Sequence, residues 1–121
     1  MQKLKVLIVD DEQSICEGVA MILTKAGYLV SKAFSGEEAI RLVSSERFDL
    51  VLMDLIMPGM DGADACAEIK KISPETRFIG ISGSPAGQRV ERFVSVCGVD
   101  VFLYKPFGKK ELLAAVEKML S

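Results

Sequence analysis

The chain reads as an α/β protein, a parallel sheet of five strands wound on both faces with helices. Two observations lead there. Short apolar runs alternate with longer segments whose apolar residues recur at helical spacing, and the alternation repeats five times within 121 residues. Runs apolar at nearly every position suit strands covered on both faces, which is the environment of a parallel sheet. The connections hold only a few residues each, too short for a linker, a second domain or a low-complexity tract, so residues 1–121 are expected to form one domain. Right-handed crossovers and helices on both faces then place a ligand site outside the carboxyl ends of the strands.

Lys5 to Val9 is the first strand, with Val6 to Val9 apolar throughout. From Gln13 to Ala26 the residues Ile15, Val19, Ile22, Leu23 and Ala26 line one helix face, and Gly27 stops the helix. Tyr28 to Phe34 alternates as a strand. Ser35, followed three residues on by Glu38, is a capping box opening a helix that turns Ala39, Ile40 and Val43 inward. Leu50 to Met53 is the third strand, and Pro58, Gly59 and Gly62 mark a loop before a helix carrying Ala65, Ile69 and Ile72, ended by Ser73 and Pro74. Arg77 to Ile81 is the fourth strand. Pro85 lies near the start of the next helix, whose Val90, Phe93, Val94 and Cys97 share a face up to the stop at Gly98. Val99 to Tyr104 is the fifth strand, and after Pro106 a last helix sets Leu112, Leu113, Val116 and Leu120 against the sheet.

Composition removes several function classes. The formal charge is −2, from 15 Lys and Arg against 17 Asp and Glu, so no net positive field draws the domain onto nucleic acid or anionic lipid. Apolar residues make up 50% of the chain, which excludes disorder. Cys16, Cys66 and Cys97 are odd in number and widely spaced, with no His to complete a zinc site. They are expected to be small buried thiols in a reducing cytoplasm. The longest apolar run, Val19 to Leu23, falls far short of the roughly 18 residues of a membrane span. Asp10, Asp11 and Glu12 interrupt the only apolar stretch near the start, so no secretory signal forms and the expected location is cytoplasmic.

The chemistry gathers at the carboxyl edge. Asp10 and Asp11 close the first strand, Asp54 the third, Ser82 the fourth and Lys105 the fifth. Each alone reads as a helix cap or a solvated strand end. Together they come from distant parts of the chain to neighbouring strand ends, which chance would not arrange. Three carboxylates in one cleft repel unless a cation sits among them or some pKa values rise. Oxygen ligands without His or thiolate favour a hard ion, and the few protein ligands suit Mg²⁺, which keeps waters and accepts phosphate oxygens. Asp54 is then a candidate nucleophile on phosphorus, with the Lys105 ammonium and the Ser82 hydroxyl neutralising phosphoryl oxygens.

These residues carry a resemblance. The segments LIVDDE at Leu7 to Glu12, LVLMDLIMPGMDG at Leu50 to Gly62, GISGS at Gly80 to Ser84 and YKPF at Tyr104 to Phe107 resemble the receiver domains of two-component response regulators, over the whole chain. The resemblance implies a flavodoxin-like (βα)5 fold with strand order 2-1-3-4-5. It implies Asp54 as phosphoacceptor, and Mg²⁺ held by Asp10, Asp11, Asp54 and the Ile56 backbone carbonyl. Lys105 and Ser82 would contact the phosphoryl group, Ser82 and Phe102 would be the switch residues, and the Lys105–Pro106 peptide would be cis. The implied function is a phosphorylation-activated signalling switch rather than an enzyme with a separate substrate. Its donor would be a sensor histidine kinase or phosphotransfer protein, and its output face the fourth helix, fifth strand and fifth helix, open to a second copy or an effector. A stand-alone receiver and one cut from a longer transcriptional regulator both fit.

Small departures bear on kinetics. Ile56 is apolar and offers no group to an attacking water, Gly83 leaves its side of the cleft open, and Val99-Asp100-Val101 leads into the fifth strand in place of a more familiar Gly-Ala-Asp. Ile56 also stands where aspartyl-nucleophile phosphatases need a second acid. A flavin or nucleotide binder of the same fold lacks a phosphate-cradling glycine motif here. A calcium loop from Asp54 onward fails at Ile56 and Pro58. The plainer readings are core packing for Phe102, loop packing for Met57 and Met60, and solvated helix faces for Lys70-Lys71 and Lys109-Lys110.

Overall fold

Five strands and five helices alternate along the chain in a computed structural model that describes residues 3–83, 87–99 and 101–121. Ser84, Pro85 and Asp100, which entered the reading above, lie outside these residues. The elements are β1 (Lys5–Val9), α1 (Gln13–Lys25), β2 (Leu29–Ala33), α2 (Gly36–Ser45), β3 (Leu50–Asp54), α3 (Gly62–Ile72), β4 (Arg77–Ser82), α4 (Gln88–Cys97), β5 (Phe102–Tyr104) and α5 (Lys109–Leu120). All pairings are parallel, in the order β2-β1-β3-β4-β5. No helix among the described residues is long and apolar enough to cross a membrane.

Strand alternation divides the core into two layers. Leu7, Val9, Val51, Met53 and Phe78 face Ala39, Val43, Ala65, Ile69 and Phe93 of α2, α3 and α4. Val6, Ile8, Leu50, Leu52, Ile79, Ile81 and Leu103 face Cys16, Val19, Leu23, Leu112 and Val116 of α1 and α5. The central strands are buried on both faces, which is why they read as continuous apolar runs.

Local signals act as their chemistry dictates. The Ser35 hydroxyl accepts from Glu38 N at 3.1 Å, and the Glu38 carboxylate reaches back to Phe34 N at 2.6 Å. Asp61 caps α3 by accepting from Asp64 N at 2.9 Å. Gly27 and Gly98, both at positive φ, end α1 and α4.

The structure corrects several expectations. Among the described residues the fifth strand is Phe102–Tyr104, shorter than Val99 to Tyr104, an edge strand whose register with β4 runs from Gly80↔Phe102 to Ser82↔Tyr104. Val99 and Val101 pack against the core layers, and the Val101 carbonyl still accepts from the Gly80 amide of β4 at 3.0 Å. The second strand is one residue shorter at each end than Tyr28 to Phe34. Ala26, Ile72 and Val94 fit the helical period but are exposed: Ala26 and Ile72 lie at helix ends, and α4 buries only Phe93 and Cys97. The largest correction concerns the thiols. Cys66 and Cys97 are buried as expected, yet a disulfide joins them across α3 and α4, with Cα atoms 6.3 Å apart and a separation of 31 positions in sequence. Neither count nor spacing carries that pairing, since two helix faces meet only in the folded chain. Cys16 is a buried free thiol donating to the Asp10 carbonyl at 3.2 Å, and burial pushes its pKa up to about 11.

Candidate functional site

Register builds the cleft. Val9 pairs with Met53 and Asp54 with Ile81, so Asp10, Asp54 and Ser82 end neighbouring strands at one level of the sheet. Ser82 pairs with Tyr104, and the Lys105 amide donates to the Ser82 carbonyl at 2.8 Å, which delivers Lys105 to the same edge. The Lys105–Pro106 peptide that follows is cis.

The acids share the cleft closely. Asp10, Asp11 and Asp54 each offer a carboxylate oxygen, all within 4.8 Å of one another. Asp10 and Asp54 are buried, while Asp11 is exposed at the mouth. Backbone amides orient the buried pair: Glu12 N donates to Asp10 Oδ1 at 2.9 Å, and Ile56 N donates to Asp54 Oδ1 at 3.1 Å. Asp10 therefore does not serve as a cap of α1, whose N-cap is Glu12 without a side-chain bond.

Lys105 faces these acids, its Nζ 3.0 Å from Asp10 Oδ2, 2.9 Å from Glu12 Oε1 and 3.5 Å from Asp54 Oδ2. Asp10 Oδ2 is buried and meets Lys105 as an ion pair, with no further partner among the described residues. Burial pushes the Asp54 carboxyl up to about 7; the Asp10 charge adds to the rise, while the Ile56 amide and Lys105 oppose it. For Lys105 burial disfavours the charge, but the Glu12 hydrogen bond and the Asp10 and Asp54 carboxylates outweigh it and raise its pKa. One lysine therefore does not balance the cleft. Two buried acids sharing one ammonium, with the Asp54 pKa raised to about 7 by burial and repulsion, are what a bound divalent cation would relieve, so the donor set fits a hard ion such as Mg²⁺.

Ser82, Ile56 and Gly83 line a second part of the same edge together with Gly87, Gln88, Arg89 and Val90. Ser82 is buried. The Ile56 side chain is 57% exposed, and among the described residues nothing would stand within 4 Å of a Cβ at Gly83. Phe102 is partly buried, packed edge-on against Phe93 at 5.8 Å and stacked on Tyr104 at 6.1 Å. Met57 is buried and Met60 packs against the core.

Three contributors escaped the sequence reading. Glu12 was only the end of a motif, and its contact with Lys105 bridges 93 positions. Gly62 lies so close to β3 that a Cβ would stand 2.5 Å from the Asp54 carbonyl oxygen, a close approach that its glycine signalled only as a loop. Arg92 of α4 pairs with Asp61 at 3.0 Å and with Asp64 at 2.5 Å, tying α4 to the start of α3 beside the cleft.

Strand order and acidic cleft together define a class, the doubly wound α/β proteins whose site lies at the carboxyl edge where the winding reverses. Within it, the chain belongs to the response regulator receiver domain family, whose sequence model matches residues 6–117. It is 37% identical over 120 residues to the probable transcriptional regulator ycf27 of Porphyridium aerugineum, covering 99% of this chain and 49% of that protein. It is 33% identical over 116 residues to the transcriptional regulatory protein ResD of Bacillus subtilis, covering 96% of this chain and 48% of that protein. The chain thus spans about half the length of these curated relatives. Among solved structures it matches the chemotaxis response regulator CheY4 of Vibrio cholerae with a TM-score of 0.91 and 30% identity, covering 98% of this chain and 100% of that one. The chain is a receiver domain of two-component signalling with the flavodoxin-like fold.

Proposed function

We propose that Asp54 is the phosphoacceptor of this receiver and that the cleft binds Mg²⁺ through Asp10, Asp11, Asp54 and the Ile56 backbone carbonyl. The observation that carries this reading is the pairing of three carboxylates within 4.8 Å with Lys105 Nζ 3.5 Å from Asp54 Oδ2. The Ile56 amide on Oδ1 orients the carboxylate. An oxygen of Asp54 attacks phosphorus, the donor's leaving group departs with its electron pair, and an acyl phosphate remains on Asp54. When bound, Mg²⁺ supplies Lewis-acid neutralisation of the phosphoryl oxygens. Lys105 adds an ammonium on the opposite side, kept protonated by Glu12 and Asp10, and Ser82 adds a hydroxyl at the end of β4.

The donor in this reading is a phosphohistidine of a sensor kinase or phosphotransfer protein, in the cytoplasm. The domain turns over no separate substrate, and Ile56 puts no acid where a phosphatase would need one. Charge added at Asp54 draws Ser82 and Lys105 toward the phosphoryl group and shifts the α4–β5–α5 face, to which a second copy or an effector binds. By likeness to ycf27 and ResD, the receiver serves a longer transcriptional regulator.

The test is incubation with acetyl phosphate and Mg²⁺ followed by mass spectrometry. One added phosphoryl group is expected, labile to hydroxylamine and located on Asp54, with no addition in Asp54→Asn. Stoichiometric labelling of Asp54→Asn overturns the reading.

A further inference from the structure

Gly80 and Phe102 pair directly across β4 and β5. Their side-chain positions therefore lie on one face of the sheet, the face covered by α4. The Phe102 ring fills the space that a side chain at position 80 would need. A Cβ at Gly80 would stand 2.5 Å from Cε1 and 2.6 Å from Cδ1 of Phe102, and 3.3 Å from Cε2 of Phe93. Gly80 is buried, and it is not among the glycines at positive φ, so its backbone does not require glycine. Glycine within a strand weakens it and marks a close approach by another group. Here the approaching group is the aromatic ring. Phe93 holds the ring edge-on at 5.8 Å, and Tyr104, two residues along on the same face, stacks at 6.1 Å.

We propose that Gly80 is a positioning residue that gives Phe102 a built-in inner seat, which the ring occupies whether or not Asp54 carries a phosphoryl group. The proposal rests on the acceptor reading of Asp54 and departs from the expectation that the aromatic swings inward on phosphorylation. No neighbour has to move to admit the ring, because the side chain that would exclude it is missing. Phe102 is then a fixed strut between β5 and α4, and of the two expected switch residues only Ser82 moves toward the phosphoryl group. A seat filled in advance removes one rearrangement from phosphoryl binding, so the competent arrangement is populated before the ligand arrives.

The experiment uses the full chain carrying 4-fluorophenylalanine, with the Phe102 fluorine signal assigned by loss in Phe102→Leu. Spectra are taken with and without Mg²⁺ and beryllofluoride, a non-covalent phosphoryl mimic. The wild-type Phe102 signal is expected to hold its position when beryllofluoride binds. Gly80→Ala is expected to move it toward the value of a solvent-exposed ring and to weaken beryllofluoride affinity by about threefold or more. A wild-type Phe102 signal that moves on beryllofluoride binding overturns the proposal, as does a Gly80→Ala variant with unchanged signal and affinity. If the wild type binds no beryllofluoride, the acceptor reading fails, and the Gly80→Ala comparison without ligand still decides the seat. Should Gly80→Ala fold poorly, a double-mutant cycle replaces it. The denaturation midpoint is expected to fall less on Gly80→Ala when Phe102→Ala is already in place, and equal falls in both backgrounds overturn the seat.

Discussion

Asp54→Asn is expected to make the metal-free protein more stable at mildly alkaline pH, although it removes the acceptor. The Asp54 carboxyl rises from 3.8 to about 7, first through burial and then through the Asp10 charge. At 1.36 kcal/mol per pKa unit, roughly three units set a ceiling of about 4 kcal/mol on what the ionised carboxylate costs the fold. Asparagine keeps an oxygen for the Ile56 amide and loses the 3.5 Å contact with Lys105, which retains Asp10 and Glu12. The net gain should be about 1–3 kcal/mol near pH 8.

The sign follows from proton uptake. Below pH 3.8 Asp54 is protonated in both states, and between 3.8 and about 7 the unfolded chain has released the proton that the native state keeps. The native state then binds more protons, so wild-type stability falls as pH rises through that window, while the asparagine variant lacks this slope. Urea unfolding in the presence of a chelator, followed by circular dichroism at about pH 4.5 and about pH 8, measures the difference, with a midpoint gain on the order of 1 M at the higher pH. An equal difference at both pH values, or a variant less stable than wild type at the higher one, refutes the reasoning. Saturating Mg²⁺ should narrow the gain, because it stabilises only the protein that retains all three acids.

Other outcomes follow from the same geometry. Millimolar Mg²⁺ is expected to raise the melting temperature of the wild type and leave Asp11→Ala unchanged; thermal melts across a Mg²⁺ titration check both. Gly62→Ala should destabilise by about 1–3 kcal/mol, because its Cβ would meet the Asp54 carbonyl oxygen at 2.5 Å and Leu55 Cα at 2.8 Å, backbone atoms that cannot step aside. Gly18→Ala, with open space around it inside α1, should stabilise by about 0.5–1 kcal/mol, and chemical denaturation of the two variants should give opposite signs.

Much of the fold was legible because its determinants are local. Continuous apolar runs such as Val6 to Val9 mark strands buried on both faces, and Ser35 with Glu38 marks a helix start by the atoms that close it. The same periodicity misled at Ala26, Ile72 and Val94, where it counts residues along a helix but does not know how far the sheet beneath extends. Val99 and Val101 look like strand residues because packing and pairing both select apolar side chains. The cleft acids and Lys105 could be nominated since strand ends in a parallel sheet share one edge. Glu12 could not, because its role is a contact between side chains 93 positions apart.

What the amino-acid order determined alone is the alternation of strands and helices, the buried face of most elements and the set of polar groups at one edge. Those follow from backbone periodicity and burial, which act between near neighbours. Only the tertiary structure decided the electrostatic state of Asp54, the joining of Cys66 to Cys97, and the fit of the Phe102 ring over Gly80. Each depends on distances of a few ångströms between atoms from different elements, and Coulomb energy, covalent reach and steric exclusion all change steeply over that range.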